Sequence, residues 1–117
     1  MKNVTIWHNP RCSKSREAMT ILEENECESM VVKYLDSKPT AKEIKNVLVM
    51  LGLGARELMR TKEDIYKELN LVDESNEEKL IEAMATHQKL IERPVIIKDG
   101  KAIIGRPTSR IAEFLNS

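Results

Sequence analysis

The chain has 117 residues, in which 19 Lys and Arg balance 19 Asp and Glu and only 3% are aromatic. That length suits one domain with room for a real core, and neutral charge with few stacking side chains argues against nucleic-acid binding. No apolar run approaches the ~20 residues of a membrane span, and His8, Arg11, Lys14 and Arg16 interrupt the N-terminal run a signal peptide would continue, so a cytoplasmic protein with no membrane attachment is expected.

The run Lys2 to Trp7 predicts a first strand, and Ala18, Ile21 and Leu22 at helical spacing predict a helix from about Ser13 to Glu24. Met30 to Tyr34 reads as a second strand, which makes the opening a β-α-β unit, because parallel strands need a crossover. Thr40-Ala41-Lys42-Glu43 has the spacing of a capping box, and Ile44, Val47, Leu48 and Leu51 follow at helical intervals to a stop at Gly52. Ala55 to Met59 and Ile65 to Leu69 read as short helices. Ser75-Asn76-Glu77-Glu78 reads as a second capping box, opening a helix through Leu80, Ile81 and Met84. Beyond Arg93-Pro94 the character changes. β-Branched Val95 to Lys98, the turn dipeptide Asp99-Gly100 and Lys101 to Ile104 predict an antiparallel hairpin. Thr108 or Ser109 then caps a last helix through Leu115. No repeat or linker divides the chain.

Cys12 falls where the first strand hands over to the first helix. Free backbone N–H groups and the positive end of the helix dipole are expected beside its sulfur, and Arg11, Lys14 and Arg16 precede the first acid, Glu17. Such surroundings favour thiolate over thiol and mark a reactive cysteine. Cys27 lies among Glu23, Glu24, Glu26 and Glu28 and reads as structural or incidental. The two cysteines have neither Cys-x-x-Cys nor Cys/His ligand spacing, so no disulfide scaffold and no metal site is expected. Arg93 and Arg106 each precede a proline, which biases them toward extended backbone, and they flank the two ends of the hairpin, where both side chains can be aimed at one place. Arg60 can join them. Arginine's planar fork suits bidentate contact with a tetrahedral oxyanion, so a thiolate beside arginines points to an anionic, oxygen-rich substrate. His8, four residues before Cys12, is placed to supply a positive charge or a hydrogen bond to the sulfur.

The order βαβ…ββα with a cysteine at the first helix N-terminus is that of the α/β thioredoxin and glutaredoxin fold, as a single domain over residues 1–117 with a helical insertion at about 40–91. In Cys12-Ser13-Lys14-Ser15 a serine stands where a resolving cysteine would be. A monothiol site needs an external thiol to resolve a covalent intermediate.

Over essentially its whole length the chain resembles the glutaredoxin-coupled arsenate reductase family, in its short chromosomal form. The segments that carry the resemblance are Ile6 to Arg16, Arg56-Glu57-Leu58-Met59-Arg60, Arg93-Pro94-Val95-Ile96-Ile97 and Gly105-Arg106-Pro107. The resemblance implies Cys12 and His8 as catalytic residues, Arg60, Arg93 and Arg106 as the oxyanion-binding arginines, Ser15 and Arg16 in support, and Pro94 as a cis-proline beside the site. It implies reduction of arsenate to arsenite, as arsenic detoxification, through a thiol-arsenate adduct on Cys12. Glutathione would be the co-substrate and glutaredoxin the partner, with no bound cofactor and a monomeric protein. Gln88 departs from the family, which often has proline after the histidine equivalent to His87.

Two other functions fit parts of the sequence. A transcription regulator of the Spx type shares this fold and insertion and binds RNA polymerase, but typically carries Cys-x-x-Cys where this chain has Ser15. A general glutathione-dependent thiol oxidoreductase would use the same Cys12 without arsenate specificity.

Overall fold

In the computed structural model, which describes residues 2–116, β1 (Lys2–Trp7), β2 (Cys27–Val32), β3 (Val95–Lys98) and β4 (Lys101–Ile104) form a sheet of order β2-β1-β3-β4. β1 and β2 run parallel, with Lys2 opposite Cys27 and Trp7 opposite Val32. The crossover that parallel pairing requires is α1 (Ser13–Glu24). β3 lies antiparallel to β1, with Val95 opposite Trp7, and Asp99-Gly100 folds β4 back onto β3. Both turn residues have positive φ, 52° and 76°, the left-handed pair that a two-residue type I′ hairpin demands. With α7 (Ser109–Leu115) the order is that of an α/β thioredoxin-like fold.

Strand alternation puts Val4, Ile6 and Ile96 on one face of the sheet, where Ala18 and Leu22 of α1 and Ile111 and Leu115 of α7 complete a buried core. This core belongs to one compact unit, Met1–Ser37 with Arg93–Ser117. Trp7 points to the opposite face and stacks on Tyr34, ring centroids 6.4 Å apart.

The second unit, Lys38–Glu92, is helical, with α3 (Ala41–Leu51), α4 (Ala55–Leu58), α5 (Asp64–Glu68) and α6 (Glu77–Thr86). The capping box at Thr40 forms: its hydroxyl accepts the Glu43 N–H at 3.2 Å and Glu43 Oε1 accepts the Thr40 N–H at 3.1 Å. Gly52, at φ 69°, ends α3 in the left-handed conformation. α3 and α6 contact each other, burying Ile44, Val47 and Leu48 together with Leu80, Ile81 and Met84, and Lys45 pairs with Glu78 at 2.5 Å. Among the described residues no helix is long and apolar enough to cross a membrane.

Several local readings of the sequence are corrected. β2 begins at Cys27 and ends at Val32, because Tyr34 opens a short helix, α2 (Tyr34–Ser37), and is buried against Trp7. α6 is capped by Asn76, whose Oδ1 accepts the Lys79 N–H at 3.3 Å, one residue later than a Ser75 box would place it. Asn and Ser cap about equally well, and Glu78, the acid a Ser75 box would use, pairs with Lys45 instead. Thr108 precedes α7 with helical dihedrals and makes no side-chain cap. Single turns of 3-10 helix at Leu71–Asp73 and Gln88–Leu90 complete the second unit.

Candidate active site

The end of β1 passes into α1 through a tightly tied loop. The His8 N–H donates to Val32 O at 2.8 Å, prolonging the β1–β2 ladder by one residue. Asn9 then turns the chain: its Oδ1 accepts the Arg11 N–H at 3.0 Å and its carbonyl accepts the Cys12 N–H at 3.0 Å. Arg16 reaches back to donate to Pro10 O at 3.3 Å, a brace on the loop. Cys12 is the N-cap of α1, in extended conformation and 8% exposed.

Ser15 is fully buried. Its hydroxyl accepts the Asn9 N–H at 3.0 Å and shares a 2.7 Å hydrogen bond with His8 Nδ1, while its own N–H bonds the Cys12 sulfur. Thus His8 is linked to the thiol through Ser15. Burial, and then the charge of Lys33, hold the His8 ring below the usual histidine range. Of the two roles expected of His8, a positive charge or a hydrogen bond, the lowered pKa favours the hydrogen bond, which the ring makes to Ser15.

Burial works against ionisation of Cys12, but the Ser15 N–H, the hydrogen bond and charge of the Arg93 side chain, and the Lys14 N–H outweigh it. They bring the thiol below its ordinary range. Arg93 reaches the sulfur because Val95 pairs with Trp7, which sets the start of β3 beside the end of β1. The register Val95 to Ile104 and the hydrogen bond from Gly105 N–H to Pro94 O at 2.8 Å carry the hairpin on to Pro94 and Gly105, so that Arg93 and Arg106 each adjoin its open end. The Arg93-Pro94 bond is cis, and so is Arg106-Pro107, which the sequence did not signal.

Gly105 is a further site-shaping residue that sequence reading missed. A Cβ there would lie 3.0 Å from Ile111 Cδ1 and 3.1 Å from Pro94 Cγ, so any larger residue would push these side chains aside by a few tenths of an ångström where the hairpin end meets α7. A lone glycine before an arginine gives no sign of such packing.

Arg60 belongs to the second unit. Its N–H donates to Leu90 O at 2.7 Å, next to the bridge between Met59 and Ile91, and its guanidinium lies 3.5 Å from Glu63 and 3.9 Å from Glu92. Arg56, in the same segment, is a structural brace: it donates to the Tyr66 hydroxyl, to Leu71 O at 2.9 Å and to Glu74 O at 2.5 Å. Cys27 is half-buried and pairs with Lys2 at the start of β1, whereas Cys12 follows its end. Both cysteines are free thiols. No cluster of three metal-ligating side chains occurs among the described residues.

The charges on α1 oppose its dipole. Its first turn holds Lys14 and Arg16 with no acid, and its last turn holds Glu23 and Glu24 with no base, although each such placement typically costs about 0.3–1 kcal/mol relative to the reverse. What the arrangement offers chemically is a depressed-pKa thiol beside an arginine fork, suited to attack on the central atom of a bound oxyanion.

A family model described as the ArsC family matches residues 7–114. The YfgD protein of Escherichia coli is 53% identical over 116 residues, covering 97% of this chain and 98% of its own. An arsenate reductase of Neisseria meningitidis is 46% identical over 117 residues, covering 98% and 100%. The solved structure of an arsenate reductase from Vibrio cholerae has a TM-score of 0.94 at 46% identity, covering 97% of this chain and 98% of that one.

Proposed function

The chain belongs to the ArsC family, and from that premise we propose that it reduces arsenate to arsenite with Cys12 as nucleophile and thiols as the source of electrons. The observation that carries this reading is the Cys12 sulfur itself, held by the Arg93 side chain and the N–H groups of Ser15 and Lys14 so that it ionises below the ordinary thiol range. Arsenate is a tetrahedral oxyanion, which forked donors hold in two-point contact. Arg93 and Arg106, which adjoin the open end of the hairpin, bind its oxygens; Arg60 has the same role.

The Cys12 thiolate attacks arsenic and displaces a protonated oxygen as water, giving a Cys12–As(V) adduct whose charge the arginines stabilise. Glutathione adds its sulfur to arsenic with loss of a second oxygen. Glutaredoxin then takes the glutathionyl sulfur as a mixed disulfide and leaves the bonding pair on arsenic, which is thereby reduced to As(III). Hydrolysis of the Cys12–As bond returns the thiol and releases arsenite. Ser15 occupies the position of a resolving thiol, which is why both electrons come from outside. His8, neutral and bonded to Ser15, holds the loop in register with the sulfur. The reaction takes place in the cytoplasm, where glutathione is abundant, and needs no bound cofactor.

The test is turnover of arsenate coupled to glutathione and glutaredoxin, with Cys12→Ser as control. Activity that needs arsenate, both reductants and Cys12 is the expected result. Reduction of model disulfides with no arsenate turnover would reassign the protein to the general thiol oxidoreductases.

A further inference from the structure

The guanidinium of Arg60 stands between two carboxylates that come from different parts of the second unit. Glu63 Oε1 lies 3.5 Å from its Nη1, and Glu92 Oε1 lies 3.9 Å from its Nε. All three side chains are half-buried, so water screens them only in part. The backbone fixes the arrangement from both sides. Arg60 N–H donates to Leu90 O and Glu92 N–H donates to Leu58 O, each at 2.7 Å, around the bridge between Met59 and Ile91, so Arg60 and Glu92 are held in step. Glu63 N–H donates to Arg60 O at 3.3 Å, closing a turn that brings those two side chains together.

Two acids around one arginine are a poor arrangement for a guanidinium that has only to attract an anion, since each carboxylate repels what the arginine draws in. Nor is Glu63 spent on its helix. It is the N-cap of α5, yet its side chain makes no capping bond. At 3.5 Å its oxygen is also further from Nη1 than an N–H···O hydrogen bond normally runs, so the carboxylate keeps lone pairs for another donor. A carboxylate accepts hydrogen bonds and offers none. Beside a bound oxyanion, the donor it can meet is a hydroxyl on that oxyanion.

We propose that Glu63 is a specificity-determining residue: with the oxyanion held by Arg60, its carboxylate accepts a hydrogen bond from a hydroxyl on the central atom, and so selects oxyanions that keep a proton, such as arsenate and phosphate, over sulfate, which has none. The inference rests on the reading of Arg60 as an oxyanion ligand and assigns the group that tells one tetrahedral anion from another. Arg60 supplies the attraction. Glu63 supplies both the acceptor that a hydroxyl satisfies and the repulsion that a bare oxygen meets. A site built in this way rejects the analogue that lacks the hydroxyl, because its acceptor is left facing a lone pair. Glu92, at Nε, steers the fork and takes no part in the choice.

The experiment uses the full chain with Cys27→Ser and the inorganic dianions phosphate and sulfate at mildly alkaline pH, where the two share shape and charge and differ by one proton. Each is titrated as a protectant of Cys12 against iodoacetamide at constant ionic strength, with no arsenate and no reductant present. Phosphate is expected to protect at a concentration about 10- to 100-fold lower than sulfate. Glu63→Gln, whose amide donates as well as accepts, is expected to bring the two within about 3-fold, chiefly by improving sulfate. Glu92→Gln is expected to shift both anions alike and keep their order. Equal protection by both anions in the parent, or a phosphate lead that survives Glu63→Gln, overturns the role of Glu63 while leaving the oxyanion site in place. A lead lost equally in Glu92→Gln overturns it in favour of net charge around Arg60. Protection by neither anion overturns the oxyanion reading and this inference with it.

Discussion

Arg93 is the residue whose removal most directly tests how the site activates its sulfur, because its side chain acts on Cys12 both as a hydrogen-bond donor and as a charge. Arg93→Gln leaves an amide in place of the cation. A hydrogen bond to a charged partner is worth about 1.5–3 kcal/mol, and at about 1.4 kcal/mol per factor of ten its loss lowers the thiolate population at a given pH by roughly 10- to 150-fold, wherever that population is a minority. The assay is the rate of alkylation by iodoacetamide as a function of pH in a Cys27→Ser background. Iodoacetamide is uncharged, so the rate reads ionisation and not attraction of the reagent. In Arg93→Gln the rise of the curve is expected at higher pH than in the parent, with the two curves converging once both thiols are fully ionised. Arg93→Lys keeps the charge and is expected to lie between them, yet to lose most of its arsenate turnover because the fork is gone. If the curve of Arg93→Gln overlies that of the parent, the thiol owes its low pKa to the Ser15 and Lys14 N–H groups alone, and the reasoning about Arg93 fails.

The other cysteine separates an external from an internal reductant. Cys12→Ser is expected to abolish arsenate turnover and Cys27→Ser to keep most of it; a folded but inactive Cys27→Ser protein would point to an internal disulfide relay. Arg106→Lys and Arg60→Lys are each expected to lower kcat/KM roughly 10- to 100-fold with the fold intact, and Arg16→Lys, whose side chain donates to Pro10 O, far less; equal, small losses in all three would remove the oxyanion role. His8 is held below its unfolded pKa, so between the two values the unfolded chain binds a proton that the folded chain does not, and stability falls as pH drops below about 6.5. Denaturant melts of His8→Asn are expected to show a flatter decline on that side, and an identical decline would mean that other groups govern it. Gly105→Ala forces a methyl group into the 3.0 Å gap beside Ile111 and is expected to destabilise the fold by about 1–3 kcal/mol, read as a lower denaturant midpoint; an unchanged midpoint would mean that the hairpin end yields freely.

What the sequence discloses here depends on how locally each feature is determined. The Thr40 box, the Gly52 stop and the Asp99-Gly100 turn are decided by side chains within a few residues of the backbone they satisfy, and each forms as its residues suggest. Cys12 at a strand-to-helix junction is legible for the same reason, since the end of one hydrophobic period and the start of another bracket it. Tyr34 is not legible in this way. Its β propensity favours a strand, but its ring is drawn to Trp7 on the neighbouring strand, and that partner is set by the β1–β2 register and not by adjacent residues. The lowered pKa of His8 likewise depends on burial and then on the charge of Lys33, which comes near it only once β2 lies beside β1. Arg56 and Arg60 look alike in sequence, four residues apart, yet one braces the Leu71 to Glu74 segment and the other faces Glu63 and Glu92.

Position 15 shows how one substitution changes the kind of chemistry a thioredoxin-like site supports. A cysteine there would sit one helical turn from Cys12 and offer a second sulfur. The serine is instead fully buried and spent on geometry: its oxygen satisfies the Asn9 N–H and His8 Nδ1, and its N–H faces the Cys12 sulfur. Sulfur is a weak donor and acceptor, so a cysteine at this position could not hold both partners as firmly, and the loop from His8 to Cys12 would lose a central tie. The site thus gives up a resolving thiol and gains a rigid one that ionises below the ordinary thiol range. In the proposed mechanism, such a thiol is of little use for shuttling electrons within the protein and of great use for forming a bond to an oxyanion whose reduction other thiols complete.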